Sequence, residues 1–229
     1  MTVSNHWQYS DEILTNSLRG LVRTNPDLKY LAAERVVYSS SSSKDKVAIL
    51  SGGGAGHEPL HAGFVGKGML DVAVSGQVFA SPSVKQIYSG LKAKKSNKGT
   101  LVVVKNYTGD VIHFGMATQK VQAEGYNAKL LVVQDDVAVP RSKNAMVGRR
   151  ALAGTCLVHK VIGAKAAQDG GKATLDEVYY IGQRVNRNLA TVGASLDHVV
   201  IPKITTEENS TNEDEDGSDS DEEVEGLKP

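Results

Sequence analysis

Residues 46–59 read Lys-Val-Ala-Ile-Leu-Ser-Gly-Gly-Gly-Ala-Gly-His-Glu-Pro. Val47 to Leu50 is a continuous apolar run of the length expected for a strand buried on both faces of a parallel sheet. Four glycines follow within five residues, then His57, Glu58 and Pro59. Glycines just past such a strand let the chain turn tightly and open backbone N–H groups to a ligand. His57 then stands where a titratable side chain faces whatever those groups hold. The stretch predicts a strand, a glycine turn over 51–57 and a small-molecule site. Two plainer readings stay open: the glycines serve packing alone, and His57 merely closes the turn.

Outward from this stretch the same kind of run recurs. Asp71 to Val74 predicts a second buried strand, Thr100 to Val104 a third and Lys129 to Val133 a fourth. Helical periodicity predicts helices over 11–24 with Ser10 as a cap, from Pro82 through Leu91, and over 111–124, 148–167 and 174–190. Val36 to Tyr38 is a short strand, the serines at 39–43 form a loop, and 191–201 is strand-like. Strands alternating with helices predict an α/β fold: a doubly wound, mostly parallel sheet flanked by helices. In such sheets ligands bind outside the carboxyl ends of the strands, where the strand order reverses. The turns at 51–57 and 105–110 both lie at carboxyl ends, so His57 and Asp110 face one crevice if their strands are neighbours.

The 26 basic and 26 acidic residues balance only in total. Residues 205–229 hold eleven acids against Lys228 alone, which leaves roughly +10 on the first 204. The division expected is a lobe over 1–204 and a disordered acidic tail over 205–229. Ser218 and Ser220 are each followed by acids three residues on, a pattern that suits an acid-directed kinase. No segment interleaves arginines with aromatics, so no nucleic-acid partner is expected. No apolar run approaches spanning length, so no membrane partner is expected. The single cysteine, Cys156, fits a reducing, cytoplasmic setting and reads as a buried thiol.

An imidazole and a carboxylate sharing a crevice can move a proton off a hydroxyl. Asp110 is the acceptor in this reading, His57 orients the hydroxyl, and Lys105 brings positive charge to an oxyanion or phosphate. A helix-capping role for Asp110 is an equal contender on spacing. Neither G-x-G-x-x-G nor G-x-x-x-x-G-K-[ST] occurs, so no nucleotide site is read. Asp135-Asp136 reads as a polar loop before a metal site. His61, His113 and His159 do not follow metal-ligand spacing, and no metal is assigned.

Several longer motifs carry a resemblance. They are Ser51 to Pro59, Phe79-Ala80-Ser81-Pro82-Ser83, Val104 to Asp110, Asp135 to Val139, Gly148 to Thr155, Asn188 to Gly193 and Ser195 to His198. Together, in one register over about 12–202, they resemble the first lobe of the dihydroxyacetone (glycerone) kinases. The resemblance implies phosphoryl transfer from ATP to a hydroxyl of dihydroxyacetone or a related triose, in glycerol metabolism. It implies substrate binding by Gly54, Ala55, Gly56, His57, Lys105 and Asp110, with Asp110 as general base and His57 assisting. Ala55 departs from the family's usual serine. The family's covalent histidine lies in a further lobe, and its ATP and Mg²⁺ are held by a helical domain; neither is found in this stretch. No cofactor is therefore expected on this chain, and turnover by it alone is expected to be incomplete. A homodimer, or a heterodimer with a full-length paralogue, is expected. The competing expectation is a catalytically silent regulator or dimerisation partner.

Overall fold

A computed structural model of the chain describes residues 12–138 and 148–194. The apolar run at 47–50 opens the central strand, β3 (Ala48–Ala55). It pairs in parallel with β4 (Val72–Val78) on one side and β5 (Thr100–Lys105) on the other. Beyond β5 lies β6 (Ala128–Val133), again parallel. On the far side, β1 (Leu28–Leu31) and β2 (Val36–Ser39) form an antiparallel hairpin whose second strand pairs antiparallel with β4. The order across the sheet is β1-β2-β4-β3-β5-β6. The fold is α/β, with a mostly parallel sheet.

Burial on both faces explains the unbroken apolar strands. Ile49, Leu101, Val103 and Leu131 pack under α1 (Ile13–Thr24), α4 (Thr155–Ala167) and α5 (Leu175–Arg187), against Leu14, Leu18, Val158, Ile162 and Val178. Leu50, Val72, Val102 and Val104 face the other way, onto Ile87 and Leu91 of α2 (Val84–Ala93) and Phe114 and Val121 of α3 (Thr108–Ala123). After β3 the chain goes to β4 on one side, then crosses to β5 on the other. The strand order therefore reverses between β3 and β5, and a crevice opens at their carboxyl ends.

The structure corrects several sequence expectations. The glycines at 52–54 lie inside β3 and not in a turn. A Cβ on Gly52 would run into the Val74 carbonyl, and one on Gly54 would lie 2.8 Å from the Ala80 nitrogen. Close approach of neighbouring backbone, more than turning, demands glycine there. The passage from β3 to β4 contains no α-helix, only a 3-10 turn at Ala62–Phe64. Residues 148–154 are not helical: the expected helix at 148–167 begins only at Thr155. The last helix ends at Arg187 instead of 190. The helix expected from Pro82 starts two residues later, at Val84, where Ser83 and Gln86 form a reciprocal cap. Thr191 makes an isolated bridge to Asp136 and no strand within the described residues. Ser10, Ser195 to His198, the boundary at 204, the acidic tail, Ser218 and Ser220 fall outside the described residues.

Candidate functional site

β5 ends at Lys105 and α3 begins at Thr108, so Asp110 falls in the first turn of α3 at the carboxyl edge of the sheet. The cap position is Tyr107, which makes no side-chain cap bond, and Asp110 Oδ1 is buried without a hydrogen-bond partner. Capping therefore does not occupy this carboxylate, while the positive end of the helix favours its charge. His57 sits two residues past the end of β3, across the crevice. A cavity of about 360 Å³ is lined by Gly54, His57, Phe79, Ala80, Ser81, Lys105, Tyr107 and Asp110.

Lys105 and Asp110 are buried at 6% and 5% exposure, in contact with this cavity. Lys105 Nζ lies 2.7 Å from His57 Nε2. An ammonium can only donate, so the imidazole accepts at Nε2 and carries its proton on Nδ1. Burial, then the Lys105 charge, hold His57 below its ordinary range, which keeps that acceptor neutral. Burial pulls the Lys105 ammonium down, and the Asp110 charge pulls it back up. Burial pushes the Asp110 carboxyl up; hydrogen bonding from Ser81 and then the charges of Lys105 and His113 restrain it. A carboxylate raised by burial beside a buried cation is the environment in which a side chain acts as base near neutral pH.

Of the six residues expected to bind substrate, the structure brings Gly54, His57, Lys105 and Asp110 to the cavity. It does not bring Ala55 or Gly56 there. The pleat of β3 turns Ala55 into the core, 5% exposed, and both residues line a separate recess with Ile13, Leu14 and Val78. The Gly56 N–H donates to the Glu58 carboxylate at 3.0 Å. Ala55, expected to depart from the resemblance at a substrate contact, makes no contact with this cavity.

Sequence reasoning missed Phe79, Ala80, Ser81 and Tyr107 as lining residues, though all four stand in the quoted motifs. Phe79 has a φ of 54°, in the left-handed region, and its ring occupies the side where a Gly56 Cβ would be. Such backbone strain costs about 1–3 kcal/mol and collects at functional sites. Also missed was a buried polar chain beneath the site. Ser51 Oγ donates to the Val103 carbonyl at 2.9 Å and lies 3.2 Å from His61 Nδ1, which is 3.2 Å from His159 Nε2. Burial, then neighbouring His159, Lys105 and His57, hold His61 well below its ordinary range. Burial and Lys105 bring His159 to about 3.

Asp135 is fully buried and accepts from the N–H groups of Leu152 and Gly154 at 2.8 Å and from the Thr191 hydroxyl. It ties down the segment before α4. Among the described residues no three His, Cys, Asp or Glu gather where they could hold a metal ion. Burial raises the half-buried Cys156 thiol, the opposite of what a nucleophile needs. A larger cavity, about 480 Å³, lies at the opposite, amino end of the strands between Ser39, Lys46 and Asp71, but Lys46 is paired there with Asp71 at 2.6 Å.

Fold and cleft together define an α/β lobe with a Lys–His–Asp group in a cavity at its switch point. Comparison with known proteins makes that class specific. Residues 19–217 match the Dak1 domain. The chain is 62% identical over 213 residues to the dihydroxyacetone kinase of Pichia angusta, covering 93% of this chain and 35% of that enzyme. It superimposes on the dihydroxyacetone kinase of C. freundii in complex with AMP-PNP and Mg²⁺ with a TM-score of 0.73 at 38% identity, covering 81% of this chain and 34% of that one. It also superimposes on the dihydroxyacetone kinase operon co-activator DhaQ with a TM-score of 0.68 at 36% identity, covering 74% of this chain and 51% of that one. The chain belongs to the Dak1-domain, dihydroxyacetone kinase family. It spans about a third of the length of the curated kinases it matches.

Proposed function

We propose that the cleft binds dihydroxyacetone or a related triose and presents one of its hydroxyls for phosphorylation. The observation that carries this reading is the convergence of Lys105, His57 and Asp110 on one cavity between β3 and β5. Asp110 takes the hydroxyl proton as the oxygen becomes the nucleophile. His57, held neutral by burial and by Lys105, orients the triose. Lys105 offsets charge on the incoming phosphoryl group. Phosphoryl transfer depends mostly on positioning and charge neutralisation, and this arrangement supplies both on the acceptor side. The phosphoryl donor, ATP with Mg²⁺, is taken to be held outside the described residues, and no step is assigned to them for it.

The test is phosphoryl transfer to dihydroxyacetone with ATP and Mg²⁺, with and without an added ATP-binding domain of a family kinase. Product is expected with the added domain, and Asp110→Asn is expected to lower kcat by about 10²–10⁴-fold while binding survives. Product formation unaffected by that substitution contradicts the base assignment. A second reading is supported by the likeness to the DhaQ co-activator: the lobe binds the triose and acts through a partner, a second copy or a full-length kinase, in the cytoplasm. Triose binding without product in either mixture selects it.

A further inference from the structure

Gly53 separates two buried groups. Its φ is unexceptional, and a Cβ there would lie 3.5 Å from Asp110 Oδ2, 3.5 Å from His61 Nε2 and 3.6 Å from Lys105 Cε. His61 is 3% exposed and its Nε2 has no hydrogen-bond partner; neither has Asp110 Oδ1. Buried polar atoms left unpaired are rare and costly, and on the open side of this glycine the unpaired His61 Nε2 faces the Asp110 carboxylate, whose oxygen nearest that position is Oδ2.

The tautomer of His61 follows from its neighbours. The only hydroxyl hydrogen of Ser51 goes to the Val103 carbonyl, so Ser51 Oγ accepts from His61 Nδ1–H. His159 Nε2, also 3.2 Å from that nitrogen, is then a second acceptor of the same hydrogen. The proton on Nδ1 leaves Nε2 with a lone pair aimed at the carboxylate side of Gly53. Two acceptors facing one gap need a donor of two hydrogens, and water is the smallest.

We infer that His61 is a positioning residue for Asp110: its Nε2 and the Asp110 carboxylate share one buried water on the open side of Gly53, and Ser51 and His159 fix the tautomer that makes this possible. The water donates to both. On Asp110 that hydrogen bond favours the charged, proton-accepting form. When Asp110 has taken a proton, its own O–H donates to the water, which keeps the carboxyl in the same rotamer. The inference rests on the reading of Asp110 as the base.

The experiment uses the full 229-residue chain with ¹⁵N-labelled histidine rings. The His61 signal is identified by its loss in His61→Gln. The expected spectrum shows neutral His61 with Nδ1 protonated. Its Nε2 signal shifts in Asp110→Asn and also in Gly53→Ala, whose Cβ fits at ordinary van der Waals distance but blocks the gap; the His159 signals stay in place in both. Dihydroxyacetone affinity by calorimetry falls about tenfold in His61→Leu and is largely restored in His61→Gln, which keeps an acceptor. A proton on Nε2, or an Nε2 signal unmoved by both substitutions, overturns the inference. The ring spectra need no ligand. Failure of the unaltered chain to bind dihydroxyacetone therefore overturns the triose reading and leaves His61 judged by its spectrum.

Discussion

Gly52 and Gly53 are adjacent in β3 and tolerate a methyl group to opposite degrees. A Cβ on Gly52 meets the Val74 carbonyl and the Phe114 ring, both fixed by the sheet and the core, so Gly52→Ala is expected to cost about 1–3 kcal/mol, seen as a lower urea midpoint. Gly53→Ala is expected to cost less, because its Cβ contacts are ordinary and the neighbouring backbone need not move, the loss being that of the bridging water alone. Equal destabilisation by both contradicts the packing described. The buried histidines make a second residue-scale prediction. The folded state holds His61 and His159 below the ordinary value of 6.5, His159 at about 3. As pH falls below 6.5 the unfolded chain takes up protons that the folded chain refuses. Their contribution is complete above that pH and is lost on the way down towards pH 3, by at most about 1.4 kcal/mol per pH unit for each histidine. Urea midpoints between pH 7 and 4 should fall less steeply in His159→Leu; an unchanged slope contradicts the burial of a neutral His159.

At the scale of elements, the segment before α4 hangs on one carboxylate. Asp135 accepts from Leu152, Gly154 and Thr191, and the Tyr107 hydroxyl donates to the Ala151 carbonyl at 3.0 Å, so this segment also borders the cleft. Asp135→Ala leaves two amides unsatisfied, at roughly 1–3 kcal/mol each, and should speed hydrogen exchange at residues 150–155 ahead of the rest of the fold. Uniform exchange throughout contradicts the tether. This segment also shows where sequence reading fails. Ala151 and Leu152 suit a helix, and nothing local announces a buried aspartate sixteen residues upstream of Ala151. The central strands were legible because burial on both faces writes continuous apolar runs such as Val102 to Val104. The β1 strand was missed because Leu28 to Leu31 is too short to show a period. Lys105 and Asp110 were legible from their place at the end of a strand and the start of a helix. Ser81 and His61 reach the site through packing between distant segments, which spacing along the chain does not encode.

For the molecule as a whole, the charge split separates about +10 on residues 1–204 from about −10 on 205–229. The lobe-and-tail division proposed from it has a direct consequence. Removing 205–229 should leave the melting midpoint within about 2 °C and triose affinity unchanged, since the core and the cleft are built within 12–194. A lost or weakened fold contradicts that boundary. The likeness to both a kinase and a co-activator shows one lobe architecture among proteins of different roles, so function has to be read from the cleft. In the proposed function the cleft between β3 and β5, not the larger cavity at the amino end of the strands, holds the triose. Titrating dihydroxyacetone into the ¹⁵N-labelled chain and following backbone amide signals tests it most directly. Saturable shifts are expected at residues 53–57, 79–81 and 105–110, abolished by Lys105→Met. Shifts confined to residues 39–46 and 66–71, or no saturable shifts anywhere, would contradict it.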